Sequence, residues 1–480
     1  MSDLPSPSTG ALAYPEATPS LDPNQQPTWV RYRMLAFLAA MTFVLYLDRS
    51  CINQAAPIIK NELGISETQK GIIFGAFTVA YAVFEIPAGR WGDRYGSRRI
   101  LTRIVLWWSF FTALTGAAWG FGSLVVIRFL FGAGEAGALP NSARVLREWF
   151  PDSSRGRAQG IVTTAMLIGG AASYTASQWL IDWVGWRWSF AVFALLGVGW
   201  ALAFYAWFRD DPAEHADTNE AERRLITAGR MPHRSVGASE ETRAAGLAGG
   251  KGDVHGPIPW DRVAGCTNIW LLSAVIMTMS AMSELLNSWY PTYLQEARGA
   301  SPDLSGRLTT LVLLPGAVAA FFGGFLTDWL VLKTGSRRWG RTAQAVVGAG
   351  LSAFGILASV WTDSTMVASA FIALVAFGVQ LQLPSWWACA TQVSGRHLGA
   401  LFGLMNMMGG AGRMLSQLFV GYFADWRKSL RYTGRAQWDP SLYIYVVVSL
   451  IGMILWSLVD PEKTVDNQET KPAGLDAASA

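Results

Sequence analysis

The sequence predicts an all-α membrane protein whose twelve spanning helices form two related six-helix halves. Three observations carry this reading: too little charge for a water-soluble chain, a series of long apolar runs, and motifs that recur in the same order in both halves.

Of the 480 residues, 51% are hydrophobic and 15% are charged. Soluble domains carry about a quarter charged residues, so this chain is built for a less polar solvent than water. The net charge of +4 forms no nucleic-acid-binding patch, and no nucleic acid is expected as a partner. Cys51, Cys266 and Cys389 have neither paired nor metal-ligand spacing and read as small core residues. With no metal cluster, no nucleophile–base pair and four His in all, neither an enzyme nor a cofactor or metal is expected.

Apolar runs of about 20 residues, enough to cross a hydrocarbon core of roughly 30 Å, recur along the chain. In lipid every backbone polar group must be satisfied internally, which makes these runs helices. The predicted spans are 32–56, 70–90, 100–118, 122–146, 159–181 and 186–207, then 267–294, 305–330, 343–361, 365–388, 397–424 and 441–460. They group into bundles over 32–207 and 265–460. Residues 1–31 read as a disordered cytoplasmic tail without a signal peptide, and 461–480 as a second cytoplasmic tail. The linker over 208–264 contains AERRLITAG, which suits a short amphipathic surface helix. Most of the 38 Lys and Arg fall in the tails, the linker and the loops sharing their side. By the positive-inside rule both termini are then cytoplasmic, as a multi-pass protein of the inner membrane. Arg427, Lys428, Arg431 and Arg435 contradict this rule, with only Asp425 and Asp439 nearby to offset them.

The repeat has three parts. Gly89, Asp93, Gly96, Ser97, Arg98 and Arg99 after the second span return as Gly324, Asp328, Gly335, Ser336, Arg337 and Arg338. Gly134-Glu-Ala-Gly-Ala-Leu-Pro140 returns as Gly378-Val-Gln-Leu-Gln-Leu-Pro384, and Gly156-Arg157-x-x-Gly160 as Gly395-Arg396-x-x-Gly399. Parallel repeats of this kind build carriers that alternate access to a midplane site. Gly89 and Gly96 permit close helix ends, and Asp93 can cap a helix and pair with the Arg cluster. A gating role for Gly89, Asp93, Arg94, Gly96, Arg98, Arg99, Asp328, Arg337 and Arg338 stands beside plain positive-inside anchoring.

The G-x-x-x-D-R-x-G-S-R-R loop resembles the signature of the major facilitator superfamily, and the layout matches over essentially the whole chain. Tyr46-Leu-Asp48-Arg49, Arg128-Phe-Leu-Phe-Gly-Ala-Gly-Glu135-Ala and Trp289-Tyr-Pro291-Thr-Tyr293-Leu resemble its anion:cation symporter branch, which includes bacterial galactonate, glucarate and hexuronate carriers. The resemblance implies the major facilitator fold, acting as a monomer in the lipid bilayer.

An ionisable group inside a membrane helix is costly and faces a cavity or a partner. Asp48, Arg49, Arg128 and Glu135 are such groups. Arg128 and Glu135 are about two turns apart on one face, while Tyr46, Arg49 and Asn53 share a stripe. Arg can hold a carboxylate with two parallel hydrogen bonds. A buried acid beside Arg can take up and release a proton as its partner changes. The expectation is that Arg49, with Arg128, binds a substrate carboxylate while Asp48 and Glu135 carry protons; the resemblance implies the same roles. The competing reading makes Arg128–Glu135 and Asp48–Arg49 fixed ion pairs.

The matching segment of the second half carries neutral Gln380 and Gln382. With Ser385, Trp386, Asn406, Trp289 and Tyr290 it suits recognition of hydroxyl groups by amides and rings. The resemblance supports Ser385, Trp386 and Asn406, and favours Trp386 over Trp387. Tyr81 is a cavity candidate against core packing. Glu85 is expected to pair near the cytoplasmic end of its helix, and Glu284 to enter the cavity. Arg413 is expected to pair with a neighbour or to draw in an anion. Trp107, Trp183, Trp186 and Trp188 read as interfacial anchors.

The function expected is proton-coupled symport of a sugar acid or other small organic anion. Carriage of aromatic or dicarboxylic acids, and export or exchange, are the alternatives.

Overall fold

The computed structural model describes residues 26–228, 260–394 and 398–465. The tail calls over 1–25 and 466–480, the linker over 229–259, and Gly395 and Arg396 lie outside the described residues. Side chains of Gly89, Asp93, Arg94, Asp328 and Arg337 are likewise not described.

The apolar runs form helices throughout. The first half contains α1 (Val30–Leu63), α2 (Glu67–Tyr95), α3 (Ser97–Gly116) and α4 (Phe121–Trp149). A continuous stretch from Asp152 to Trp207 is broken at Gly185, whose φ of 78° is a left-handed conformation that favours glycine. It divides into α5 (152–184) and α6 (186–207). The second half contains α7 (Thr267–Glu296), α8 (Pro302–Thr334), α9 (Arg337–Trp361), α10 (Thr365–Ser394), α11 (Leu398–Ser429) and α12 (Arg435–Leu458). Among the described residues eight stretches, with 157–207 as one of them, are long and apolar enough to cross a membrane. Each half buries an apolar core of its own.

The linker forms a helix over Glu220–Ala228. Its buried Glu222 accepts from the Arg31 backbone N–H at 3.1 Å and contacts the Arg31 guanidinium at 3.4 Å. That ties the linker to the start of α1.

The halves meet at the end of the bundle opposite the termini. There Asp425 of α11 accepts the backbone N–H groups of Glu67 and Thr68, at 3.2 and 2.7 Å. A carboxylate from one half thus caps a helix of the other, where the helix dipole favours negative charge. Lys60 bonds Glu67 at 2.6 Å and also pairs with Glu296 of α7. Lys70 donates to Thr292 at 3.1 Å and lies 4.4 Å over the Trp289 ring. Beside α8, Thr310 donates to the Ala171 carbonyl at 2.7 Å, and Gln54 to the Pro302 carbonyl at 3.0 Å.

In the basic loop that broke the charge rule, Arg435 is neutralised locally. Arg435 bonds Asp439 at 2.9 Å and pairs with Asp363, and Arg427 donates to the Ala436 carbonyl at 2.8 Å. Asp425, the other acid expected to offset it, is spent on α2. All three cysteines are buried and free. Trp107, Trp183 and Trp188 are exposed as interfacial rings should be, but Trp186 is buried and donates to Glu62 at 2.5 Å.

A Cβ at Gly421 would lie 2.4 Å from the Glu67 carbonyl oxygen. Gly421→Leu should therefore wedge the two halves apart at a cost of about 1–3 kcal/mol, shifting the balance away from the closed end roughly tenfold or more. Labelling of a Thr292→Cys reporter, placed at a buried position, should accelerate accordingly. An unchanged labelling rate would contradict this account of the closure.

Candidate transport site

The chemistry collects where α1, α2 and α4 cross. Gly132 of α4 allows this: a Cβ there would meet the Phe77 carbonyl oxygen at 2.6 Å, so α2 can lie directly against α4. The Phe77 ring then sits beneath two guanidinium groups, Arg49 at 4.4 Å and Arg128 at 5.2 Å. Tyr46 and Tyr81 flank Arg49, each ring centroid 5.3 Å away, and Phe131 lies 4.5 Å from Arg128. A cation over an aromatic face gains roughly 0.5–2 kcal/mol, the more so when it is desolvated.

The ion pairing differs from both pairings read from the sequence. Arg49 of α1 contacts Glu135 of α4 at 3.5 Å. Neither Asp48–Arg49 nor Arg128–Glu135 forms an ion pair among the described residues. The rotation of α1 explains this: Asp48 points away from Arg49, toward Trp108 and Thr112 of α3. Asp48 is 1% exposed, and neither carboxylate oxygen has a hydrogen-bond partner. One oxygen of Glu135 and Nε of Arg128 are also buried without partners. Arg49 keeps 22% of its side chain exposed against 1% for Glu135, so the cation is the accessible member of the pair.

The helix that carries Glu135 stops beside it. Residues 136 and 137 form a turn before the second segment of α4 begins at Ala138. The Asn141 amide donates to the Gly137 carbonyl at 2.7 Å and to the Ala88 carbonyl of α2 at 3.3 Å. The repeated glycines share one use, close crossing: Gly134 faces the Trp107 ring and Gly378 the Gly348 backbone.

The second half behaves differently. Trp386 is buried and donates to the Leu272 carbonyl at 2.9 Å. Ser385 is buried 3.5 Å from the Thr327 hydroxyl. Gln382 donates to the Gly378 carbonyl at 3.0 Å and accepts from Trp456 at 3.0 Å. Trp289 is buried under Lys70, and Tyr290 donates to Ser369 at 2.8 Å. In this conformation these groups are engaged in packing, and Trp387, 51% exposed, is the open member of its pair. Gln380 and Asn406 are half-buried. Glu284 is half-buried as well, accepting from Gln417 at 2.9 Å and from Ser288, immediately before a π-helical turn over Leu285–Trp289. Arg413 makes no ion pair among the described residues, against the pairing expected of it, and its Nε is buried without a partner. Its charge is felt by Glu85 of α2, and it lies in the fields of Arg49 and Glu284.

Of the gating candidates, Arg98 is tied within its own half. Its backbone N–H donates to Asp210 at 2.9 Å, and its guanidinium to the Tyr205 carbonyl, also at 2.9 Å. Gly96 has a φ of 82°, and a Cβ there would meet the Asp210 carboxylate at 2.6 Å. Arg99 is exposed, and Arg338 lies 3.9 Å from Asp460. Phe77, Trp108 and Thr112 escaped the sequence reading; the one available signal was that Phe77 precedes Tyr81 by one helical turn.

Comparison with known proteins agrees with the fold. The sequence profile of the Major Facilitator Superfamily matches residues 38–417 and 272–479. The probable sulfoacetate transporter SauU of Cupriavidus necator is 30% identical over 92% of this chain and 96% of its own. The probable galactarate/D-glucarate transporter GudP of Bacillus subtilis is 27% identical over 85% of this chain and 88% of its own. A bacterial homologue of the human lysosomal transporter Spinster, crystallised in an inward-facing and unoccupied conformation, superposes with a TM-score of 0.71. It is 19% identical, covering 92% of this chain and 99% of that one.

Trp386 and Trp387 differ in burial. Trp386→Ala should cost about 3–5 kcal/mol of stability, read as a marked fall in Tm in detergent, whereas Trp387→Ala should leave Tm nearly unchanged. Equal Tm values for the two variants would contradict the burial assigned to Trp386.

Proposed function

The chain belongs to the Major Facilitator Superfamily, and on that footing we propose that it carries a small organic anion across the inner membrane together with protons. The observation that carries this reading is the Arg49–Glu135 contact at 3.5 Å among aromatic rings. Among the described residues Arg49 has one carboxylate partner, and a substrate carboxylate competes for the same guanidinium. A proton on Glu135 weakens its hold on Arg49 and frees the one Nη donor it engages, so that the guanidinium fork can present two parallel N–H groups to the substrate. Proton and anion therefore favour each other's binding, and this mutual preference is what couples two fluxes.

Asp48 fits a second proton position. A buried ionised carboxylate without donors is expensive, whereas the neutral acid tolerates that environment far better. Arg128, held over Phe77 and Phe131, keeps the region positive and so attracts the substrate. The relatives named for sulfoacetate and for galactarate and D-glucarate support an organic acid as the cargo, and the apolar flanks support a small one.

Closure at the end opposite the termini gives the direction of access. With both termini in the cytoplasm, as the distribution of Lys and Arg favours, the halves are sealed toward the outside and the site opens inward. Alternation then requires release of Asp425 from α2 and of Lys60 from Glu296.

Proteoliposome uptake with Glu135→Gln tests the coupling. The variant should still exchange labelled for unlabelled acid, because Arg49 remains, but lose uphill uptake driven by a pH gradient. Uphill uptake at the wild-type rate, with the wild-type pH dependence, would overturn the assignment.

A further inference from the structure

Helix α11 presents Asn406, Gly410, Arg413 and Gln417 at spacings of four, three and four, which puts them on one face. Two contacts fix where that face looks. On the adjoining side, a Cβ at Gly412 would lie 2.2 Å from the Met277 carbonyl oxygen, and one at Gly409 would lie 3.0 Å from the Ser280 hydroxyl. The glycines therefore press α11 onto α7. At the upper end of the stripe, Gln417 accepts from the Thr78 hydroxyl of α2 at 3.3 Å. Arg413 lies one turn from that contact on the same stripe, so its face is the one that turns from α7 toward α2 of the opposite half. Arg49 and Glu284 are the charged groups that act on it there.

Arg413 has no partner of its own there. The acid nearest to it on α7, Glu284, already accepts from Gln417 and Ser288. Glu85 of α2 is half-buried and shares the field without forming an ion pair with it among the described residues. The neutral groups on which the second half would rely to read hydroxyls, Gln382, Ser385 and Trp386, are engaged in packing. Arg413 is the cation that this half adds on that face.

We infer that Arg413 binds a second acidic group of the substrate, and that the transported solute is a small dianion spanning Arg49 and Arg413. This rests on the organic-anion reading above and narrows it to acids charged at both ends: dicarboxylates, or carboxylates bearing a sulfonate. A monoanion held by Arg49 leaves the Arg413 guanidinium unmatched in a poorly hydrated site, and that unmatched charge discriminates against it. Arg413 is thus a specificity residue, and Asn406, two turns below on the same stripe, can donate an amide N–H to the same acidic group.

The test is a binding titration of the purified full-length protein with matched acids: sulfoacetate against acetate, and galactarate against galactonate. Wild type should bind the doubly acidic member of each pair tighter by at least about tenfold. Arg413→Gln should abolish that preference, by weakening the doubly acidic member and relieving the penalty on the singly acidic one, and Arg413→Lys should restore part of it. Retention of the full preference by Arg413→Gln, or its absence in wild type despite binding of the monoacids, would overturn the inference and leave the organic-anion reading intact. Binding of none of the four acids by folded wild-type protein would overturn both.

Discussion

One constraint shapes the centre of this molecule: Arg49 and Glu135 form an ion pair inside an apolar bundle that offers them almost no water. A buried ion pair seldom repays its own desolvation, so the surroundings must help. They do so with rings. Phe77, Tyr46 and Tyr81 surround Arg49, and Phe77 is close enough to serve Arg128 as well because Gly132 brings α2 against α4. The aromatic collar stabilises the cations without neutralising them, and they stay able to accept an incoming anion.

The two halves share an architecture and differ in what they present. In the first half the segment after Gly134 carries Glu135 and breaks into a turn beside it. In the second half the segment after Gly378 continues as helix, and its Gln382 is bound to Trp456 and to the backbone. The common element is the glycine, which permits close crossing in each half. Duplication thus preserved the packing contact, and the chemistry was placed on one copy.

The fold was legible because it depends on quantities a linear sequence carries directly: the length of apolar runs, the spread of basic residues, and a repeat. The pairing of charges was not, because it depends on helix rotation and on contacts between helices distant in the chain. Asp48 and Arg49 are neighbours in sequence yet face different helices, while Arg49 and Glu135 meet across α1 and α4. The same limit governs the second half. Ser385 and Trp386 are residue types that suit a sugar face, but which side of α10 turns inward is set by packing on α7, seen in the bond from Trp386 to the Leu272 carbonyl. Arg413 stood out in the sequence as a charge within a helix, yet only the glycine contacts of α11 reveal the direction in which it points.

The cap that Asp425 places on α2 has an evolutionary consequence. Its acceptor is one side chain, but its donors are backbone N–H groups, present whatever residue other than proline occupies positions 67 and 68. The two sides of this contact are therefore unequally exposed to mutation. Side chains at the start of α2 can drift without loosening the grip, whereas a single change at Asp425 releases it. Among descendants of such a carrier, a family tree would record this contact on only one of its two strands of inheritance, with no matching change on the other.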